Sequence, residues 1–307
     1  MATKPQNNTN DSSVLLRAVP PRLYRLGTLL KNFLLFSSAY LAAIAAAEVL
    51  IVAELLSLPL TPAPLVVGLL TFAVYGNDRV ADLETDERTT PARTAFVKRY
   101  HHLLYGLSSA AYGLAVALAV LGGPAAFGLA LVPGVAWLCY AQDWLPSTGR
   151  VKRLKQVFVL NSALVAGAWA LVIVFLPMAF AEGPITPASG VVFLFFFLSS
   201  FIRVEIPNVR DRVGDREIGV KTLPVVLGVR GTRYALYGVS GLAGALLVTA
   251  FAEGLLTLPE LVWLLVSVVY LAGVVAGLGR TDNNGGLTIA AECSRLPVLA
   301  LAIVPLL

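Results

Sequence analysis

From about residue 28 onward the chain repeats one pattern: a long apolar stretch, a polar break, then another apolar stretch. Nine such stretches fall at about 28–56, 62–78, 101–121, 124–142, 156–180, 187–206, 232–252, 258–279 and 286–307. Each is close to the roughly 20 residues an α-helix needs to cross a bilayer. Apolar residues run continuously within them, without the in–out alternation of a membrane β-barrel. The first is long enough to tilt or bend. Gly and Pro occur inside the stretches, which lipid tolerates because neighbouring helices re-satisfy the backbone. The pattern predicts nine transmembrane helices.

Composition agrees. Hydrophobic residues make up 57% of the 307, charged residues only 13%, and mean hydropathy is +0.79. A soluble domain carries about 25% charged residues, so this chain cannot cover its own surface in water. Cys139 and Cys293 both sit in apolar runs and form no disulfide framework, and the adjacent His101 and His102 have no metal-ligand spacing. The first twenty or so residues are polar, end at Pro20-Pro21 and lack a signal peptide's apolar core. Residues 1–22 are therefore expected to be a disordered cytoplasmic tail, and residues 23–307 a single transmembrane domain.

Charge then sets orientation. With the N-terminus in the cytoplasm, all but one of the 23 Lys and Arg fall in the tail or in the loops after helices 2, 4, 6 and 8. The alternate loops carry Glu48, Glu54, Glu182, Glu253 and Glu260 and no base. This is the positive-inside pattern of a multi-pass protein of the cell membrane. It accounts for the net charge of +5 without a nucleic-acid partner. The remaining base, Arg295, lies inside the last stretch, three residues after Glu292. An intramembrane charge is a functional candidate; alternatively the two neutralise each other on the bundle interior.

The cytoplasmic end of helix 2 reads YGNDRVADLETDERTTPAR, with Asp78, Asp82 and Asp86 spaced by four. All three share one helical stripe, where like charges destabilise a bare helix. Such a stripe asks for a cation, and hard oxygen ligands suit Mg²⁺ shared with a phosphate. The end of helix 6 repeats the device: Asp211 and Asp215 at i, i+4, with Asn208 just before them. Bases lie between the two clusters, among them Arg93, Arg153, Lys155, Arg203 and Lys221. Carboxylates for metal and bases for phosphate, facing an apolar bundle, describe a site for a lipid diphosphate. The aromatics Phe193, Phe195, Phe196, Phe197, Phe201 and Trp169 either line a prenyl tunnel or are ordinary bulk of membrane helices.

These residues carry a family resemblance. The chain resembles the UbiA-type intramembrane prenyltransferases through Asp78, Asp82 and Asp86 followed by Pro91 and Arg93, with Asp78 where the family has Asn. The second motif is matched by Asp211, Asp215, Gly219, Lys221 and Thr222, trailed by Leu223, Pro224 and Gly228. The middle loop is similar through Tyr140, Arg153, Lys155 and Asn161, although Leu160 stands where a Lys often precedes that Asn. The resemblance implies an all-α bundle of nine helices around a central cavity, with a cytoplasmic cap over the active site. It implies Mg²⁺-dependent transfer of a prenyl group from an isoprenyl diphosphate to an acceptor, with no obligate protein partner. Asp78, Asp82, Asp211 and Asp215 would hold the metal, supported by Asp86 and Asn208. Tyr140, Arg93, Arg153, Lys155 and Lys221 would hold the diphosphate. A terpene cyclase of the same type shares the ionisation step and is an alternative. A transporter places its charges near the midplane, and here they gather at one face.

Overall fold

The computed structural model describes residues 21–81, 83, 90–141 and 157–303. Among them all regular structure is helical. The helices are α1 (Pro21–Phe36), α2 (Ala39–Leu55), α3 (Ala63–Ala81), α4 (Pro91–Ala119), α5 (Gly123–Ala141) and α6 (Leu160–Phe180). They continue with α7 (Pro187–Glu217), α8 (Leu223–Ala252), α9 (Leu258–Gly277), α10 (Asn284–Glu292) and α11 (Leu296–Ile303). Each predicted apolar stretch overlaps one of these helices or a pair of them. By length and apolar content, Leu160–Phe180, Pro187–Glu217, Leu223–Ala252, Leu258–Gly277 and the 48-residue run Pro91–Leu138 can cross a bilayer. That run exceeds two spans at about 1.5 Å per residue, and it is divided by the 3-10 turn Val120–Gly122 and by Gly123 at φ 79°.

The starts of the helices follow from sequence. Thr is the N-cap of α4, α7, α8 and α9, with Pro in the first two helical positions of each. A Pro there loses no hydrogen bond and has φ preset for the helix. At α7 the Thr186 hydroxyl accepts from Ser189 N at 3.2 Å, and Thr186 N donates to Ser189 Oγ at 3.0 Å, a reciprocal cap.

Three breaks re-aim the chain. The first stretch is bent: Leu26–Phe36 and Ala39–Leu55 meet at 61°. The bend runs through Ser38 at φ 73°, a left-handed conformation rare outside Gly. Arg79 of α3 holds it, donating from Nη1 to the carbonyls of Phe36 at 2.5 Å and Leu35 at 3.3 Å. A cation on the last carbonyls of a helix is favourably placed. The second break is Tyr100, non-helical within α4. The third is Gly228 in α8, at φ 68° and ψ 173°, a backbone that requires Gly. In both α4 and α8 a short helical prefix thus precedes the apolar span. This is why the span begins near 101 and 232 while the helices begin at 91 and 223.

Packing is mostly between chain neighbours. α2 lies on α3, α3 on α4, α6 on α5 and α7, and α8 on α7 and α9. Gly76 allows the close approach of α3 to α4, since a Cβ there would collide with Ser108. α10 packs on α7, and α11 closes the bundle against α2 and α9.

Two charges sit deeper than expected. Glu48 is a buried residue of α2, 2% exposed, and Arg203 a buried residue of α7; neither is in a loop. Of the two alternatives for Arg295, a neutralising pair with Glu292 is not the one formed. The 3-10 turn Cys293–Arg295 separates them. Arg295 Nε reaches Glu48 Oε1 at 3.0 Å, and Glu292 faces Arg203 at 3.4 Å. Arg203 Nη2 meets the same Glu48 oxygen at 2.8 Å. Arg295 also donates to Ser267 at 2.7 Å and to Ser199, and lies 4.9 and 4.8 Å from the ring centres of Phe195 and Phe196. Those two rings therefore pack a buried guanidinium inside the bundle. The tail residues 1–20 lie outside the described residues.

Candidate active site

One cavity of about 760 Å³ opens between the ends of α3 and α7 and runs into the bundle. Its rim is acidic. Asp78 from α3 and Asp211 and Asp215 from α7 all line it, so the structure brings the two motifs together. The helix geometry explains this: positions four apart on α7 present both carboxylates on one face. Asn208 lines the same wall. Asn77, beside Asp78, is not part of the cavity lining; α3 is regular here and turns Asp78 inward instead.

Two of these rim carboxylates, Asp78 and Asp211, are oriented by neighbouring side chains on α5 and α7. Trp137 Nε1 on α5 donates to Asp78 Oδ1 at 3.1 Å. Arg210 grips Asp211 through both carboxylate oxygens, at 2.8 and 2.7 Å. Asn208 Nδ2 donates to Glu205 Oε2 at 3.2 Å, which fixes the amide.

Glu205 ties the rim together. It is wholly buried and accepts from Ser162 Oγ at 2.5 Å and from Leu223 N at 3.2 Å. One carboxylate thus joins the start of α6, the rim residue of α7 and the first turn of α8. Next to Ser162, Asn161 is buried and lines the cavity. The turn before it passes through Val159 at φ 65°, unusual for a β-branched residue.

Of the expected phosphate-binding residues, Arg93 lines the cavity. Lys221 does not: it is exposed, and its neighbour Val220 takes the place in the wall. Tyr140 belongs to the last turn of α5, and its side chain lies outside the described residues, as do Asp82, Asp86, Arg153 and Lys155. Further in, the wall carries Tyr40, Tyr75, Trp169, Arg203 and Glu292. Trp169 stacks on Tyr75 with ring centres 5.6 Å apart. Arg210, Trp137 and Glu292 line the cavity although neither Asp motif marks them. Arg210 had a local signal, as the base immediately before Asp211.

The donor set suits a hard divalent cation. Carboxylates from two helices and the Asn208 amide line one cavity, the hard oxygen donors that Mg²⁺ shared with a phosphate takes. The described residues alone contain no group of three His, Cys, Asp or Glu close enough to hold a metal. Asp82 and Asp86 lie outside the described residues.

The sequence model of the UbiA prenyltransferase family matches residues 30–286. The chain belongs to the UbiA prenyltransferase family. Its fold is shared with solved structures. A UbiA homologue from Aeropyrum pernix K1, solved in the apo state, superposes with a TM-score of 0.66 at 19% identity, covering 87% of this chain and 98% of that one. A UbiA homologue from Archaeoglobus fulgidus bound to GPP and Mg²⁺ gives 0.63 at 13% identity, over 89% and 99%. The same homologue bound to DMAPP and Mg²⁺ gives 0.60 at 14% identity, over 89% and 98%. A digeranylgeranylglyceryl phosphate synthase gives 0.59 at 18% identity, over 90% and 97%. No curated protein matches the sequence.

Proposed function

We propose that this UbiA family member is a Mg²⁺-dependent prenyltransferase, moving a prenyl group from an isoprenyl diphosphate to an acceptor inside the membrane. The observation that carries this is the meeting of Asp78, Asp211 and Asp215 in one cavity that continues into an apolar bundle. The Archaeoglobus fulgidus relative binds prenyl diphosphates with Mg²⁺ on the same fold.

In this reading Asp78, Asp211 and Asp215, with Asp82 from the same motif, hold the metal, while Asp86 and Asn208 support it. Bound Mg²⁺ supplies the positive charge that lets the diphosphate leave. Arg93 takes part of the phosphate charge, as Arg153, Lys155 and Tyr140 do by motif. Arg210, held by Asp211, is a further base at the same rim. The apolar wall keeps water from the allylic cation, and Trp169 stacked on Tyr75 offers a π-face beside its path. Lys221 has a lesser part, because its side chain is exposed.

Purified protein in lipid nanodiscs, given radiolabelled geranyl diphosphate and an acceptor, should lose transfer in EDTA and regain it with Mg²⁺. Full transfer in metal-free buffer would overturn the reading.

Asp78 has its own expected result. An amide offers the same Oδ1 to the metal and to Trp137, and removes one negative charge from beside Asp82. Asp78→Asn should remain active, with kcat within about tenfold of wild type, or about 1.4 kcal/mol. A loss as deep as that of Asp215→Asn would make the extra charge part of the mechanism.

The reading also includes nine spans with the N-terminus in the cytoplasm. Ile185, 82% exposed before α7, and Thr281, exposed after α9, then lie on opposite sides. In intact cells an impermeant thiol reagent should label Ile185→Cys and spare Thr281→Cys. Reversed labelling would invert the orientation.

A further inference from the structure

The cavity continues past its acidic rim to a second polar group that metal and diphosphate binding leave unused. Arg203 lies eight residues before Asp211 on α7, about 12 Å deeper along the helix. Arg203 and Glu292 both line the cavity there, beside Tyr40 and Tyr75. Both also line an adjoining cavity of about 40 Å³ that reaches Glu48.

The four charges at this depth are not equivalent. Glu48 Oε1 takes both Arg203 Nη2 and Arg295 Nε, at 2.8 and 3.0 Å, and its side chain is 2% exposed. Glu292 stands apart: its side chain is 20% exposed, and it approaches Arg203 Nη1 only at 3.4 Å. Arg203 is buried, yet its Nε and Nη1 find no hydrogen-bond partner among the described residues. A carboxylate that accepts and a guanidinium that donates therefore face the cavity side by side. A hydroxyl is the group that satisfies both, accepting from Arg203 and donating to Glu292.

Charge selects further. Two carboxylates and two guanidiniums make the cluster neutral. A carboxylate-bearing acceptor would add an unpaired negative charge next to Glu292 in a low-dielectric interior, which is strongly unfavourable. An uncharged acceptor adds none.

We propose that Glu292 and Arg203 form the acceptor subsite, that the acceptor is an uncharged, hydroxyl-bearing lipophile, and that Glu292 receives its proton. This rests on the prenyl-transfer reading. The bond between the allylic carbon and the diphosphate oxygen breaks, and its electron pair leaves with the diphosphate. A lone pair of the acceptor hydroxyl forms the new carbon–oxygen bond. The O–H pair stays on oxygen, and the proton passes to the Glu292 carboxylate. Arg203 positions the hydroxyl for that transfer.

The test uses full-length protein in nanodiscs with Mg²⁺ and labelled geranyl or geranylgeranyl diphosphate. The acceptor probes are 1-dodecanol, menadiol and 4-hydroxybenzoate, the last carrying a carboxylate. Wild type is expected to label an uncharged probe in preference to 4-hydroxybenzoate. Glu292→Gln keeps the shape of the side chain and its approach to Arg203 but has no basic oxygen. It should lower kcat by about 100-fold or more, the range of a general base. The KM for the prenyl diphosphate should stay near wild type, and Glu292→Asp should recover part of the rate. A purely structural role would instead lower the yield of folded protein while leaving kcat per folded molecule near wild type. Preference for 4-hydroxybenzoate, or a Glu292→Gln enzyme as fast as wild type, would overturn the proposal. So would failure to label any probe while the prenyl diphosphate still binds with Mg²⁺. Failure to bind the prenyl diphosphate at all would instead overturn the prenyl-transfer reading beneath it.

Discussion

Asp211→Asn and Asp215→Asn should each lower prenyl transfer by roughly 10³-fold while leaving the protein folded. The magnitude follows from what a metal clamp on a leaving group supplies: several kcal/mol of charge stabilisation, at about 1.36 kcal/mol for each tenfold in rate. The folding half follows from position. Both residues are only partly buried at the cavity mouth, and neither belongs to a packed core. Asp211 loses its ion pair with Arg210, but both side chains are part-exposed, 28% and 18%, where such pairs contribute about 1 kcal/mol or less. The check is single-turnover transfer of labelled geranyl diphosphate alongside thermal unfolding in detergent. Near-wild-type turnover in both variants would place the diphosphate site elsewhere.

Glu48→Gln should do the reverse, damaging the fold before the chemistry. One oxygen of Glu48 is shared by two buried guanidiniums. Removing its charge leaves Arg203 and Arg295 confronting each other with only Glu292 nearby. Breaking a buried pair from one side costs about 3–5 kcal/mol, since the stranded charge cannot be rehydrated. The expected result is a markedly lower unfolding temperature and a low yield of monodisperse protein. Adding Arg295→Gln to Glu48→Gln should recover part of the loss, because removing both members of a pair is milder than removing one. Unchanged unfolding in the single variant would show that the network contributes little.

The helices were legible because lipid imposes a simple rule, long apolar runs, and the chain obeys it from residue 28 onward. The acidic rim was legible because spacing by four survives as a helical face: Asp211 and Asp215 reach one wall, and Asp78 meets them there. The depth of single charges was not. Arg203 follows an apolar run closely enough to pass for a loop base in a positive-inside tally, yet α7 carries it inside the bundle. Glu292 and Arg295, three apart, fit an intrahelical pair, and only the 3-10 turn between them sends each to a different partner. Nor did composition mark the bend at Ser38, since a left-handed serine has no sequence signal of the kind Gly gives. The aromatic run of α7 permitted a tunnel or a core, and its choice depended on a guanidinium nearly a hundred residues further along the chain.

The Glu48–Arg295 contact joins positions 247 residues apart. Synthesis therefore delivers a carboxylate to the membrane long before its second partner exists. A lone ionised side chain at the centre of an inserting helix costs about 2.5–3.5 kcal/mol. α2 thus enters lipid in debt to segments not yet made, first to α7, then to the turn that carries Arg295. Maturation consequently waits on the turn that carries Arg295. A nascent polypeptide halted short of residue 295 would hold Glu48 with Arg203 alone, one of the two guanidiniums that its carboxylate oxygen meets in the finished fold.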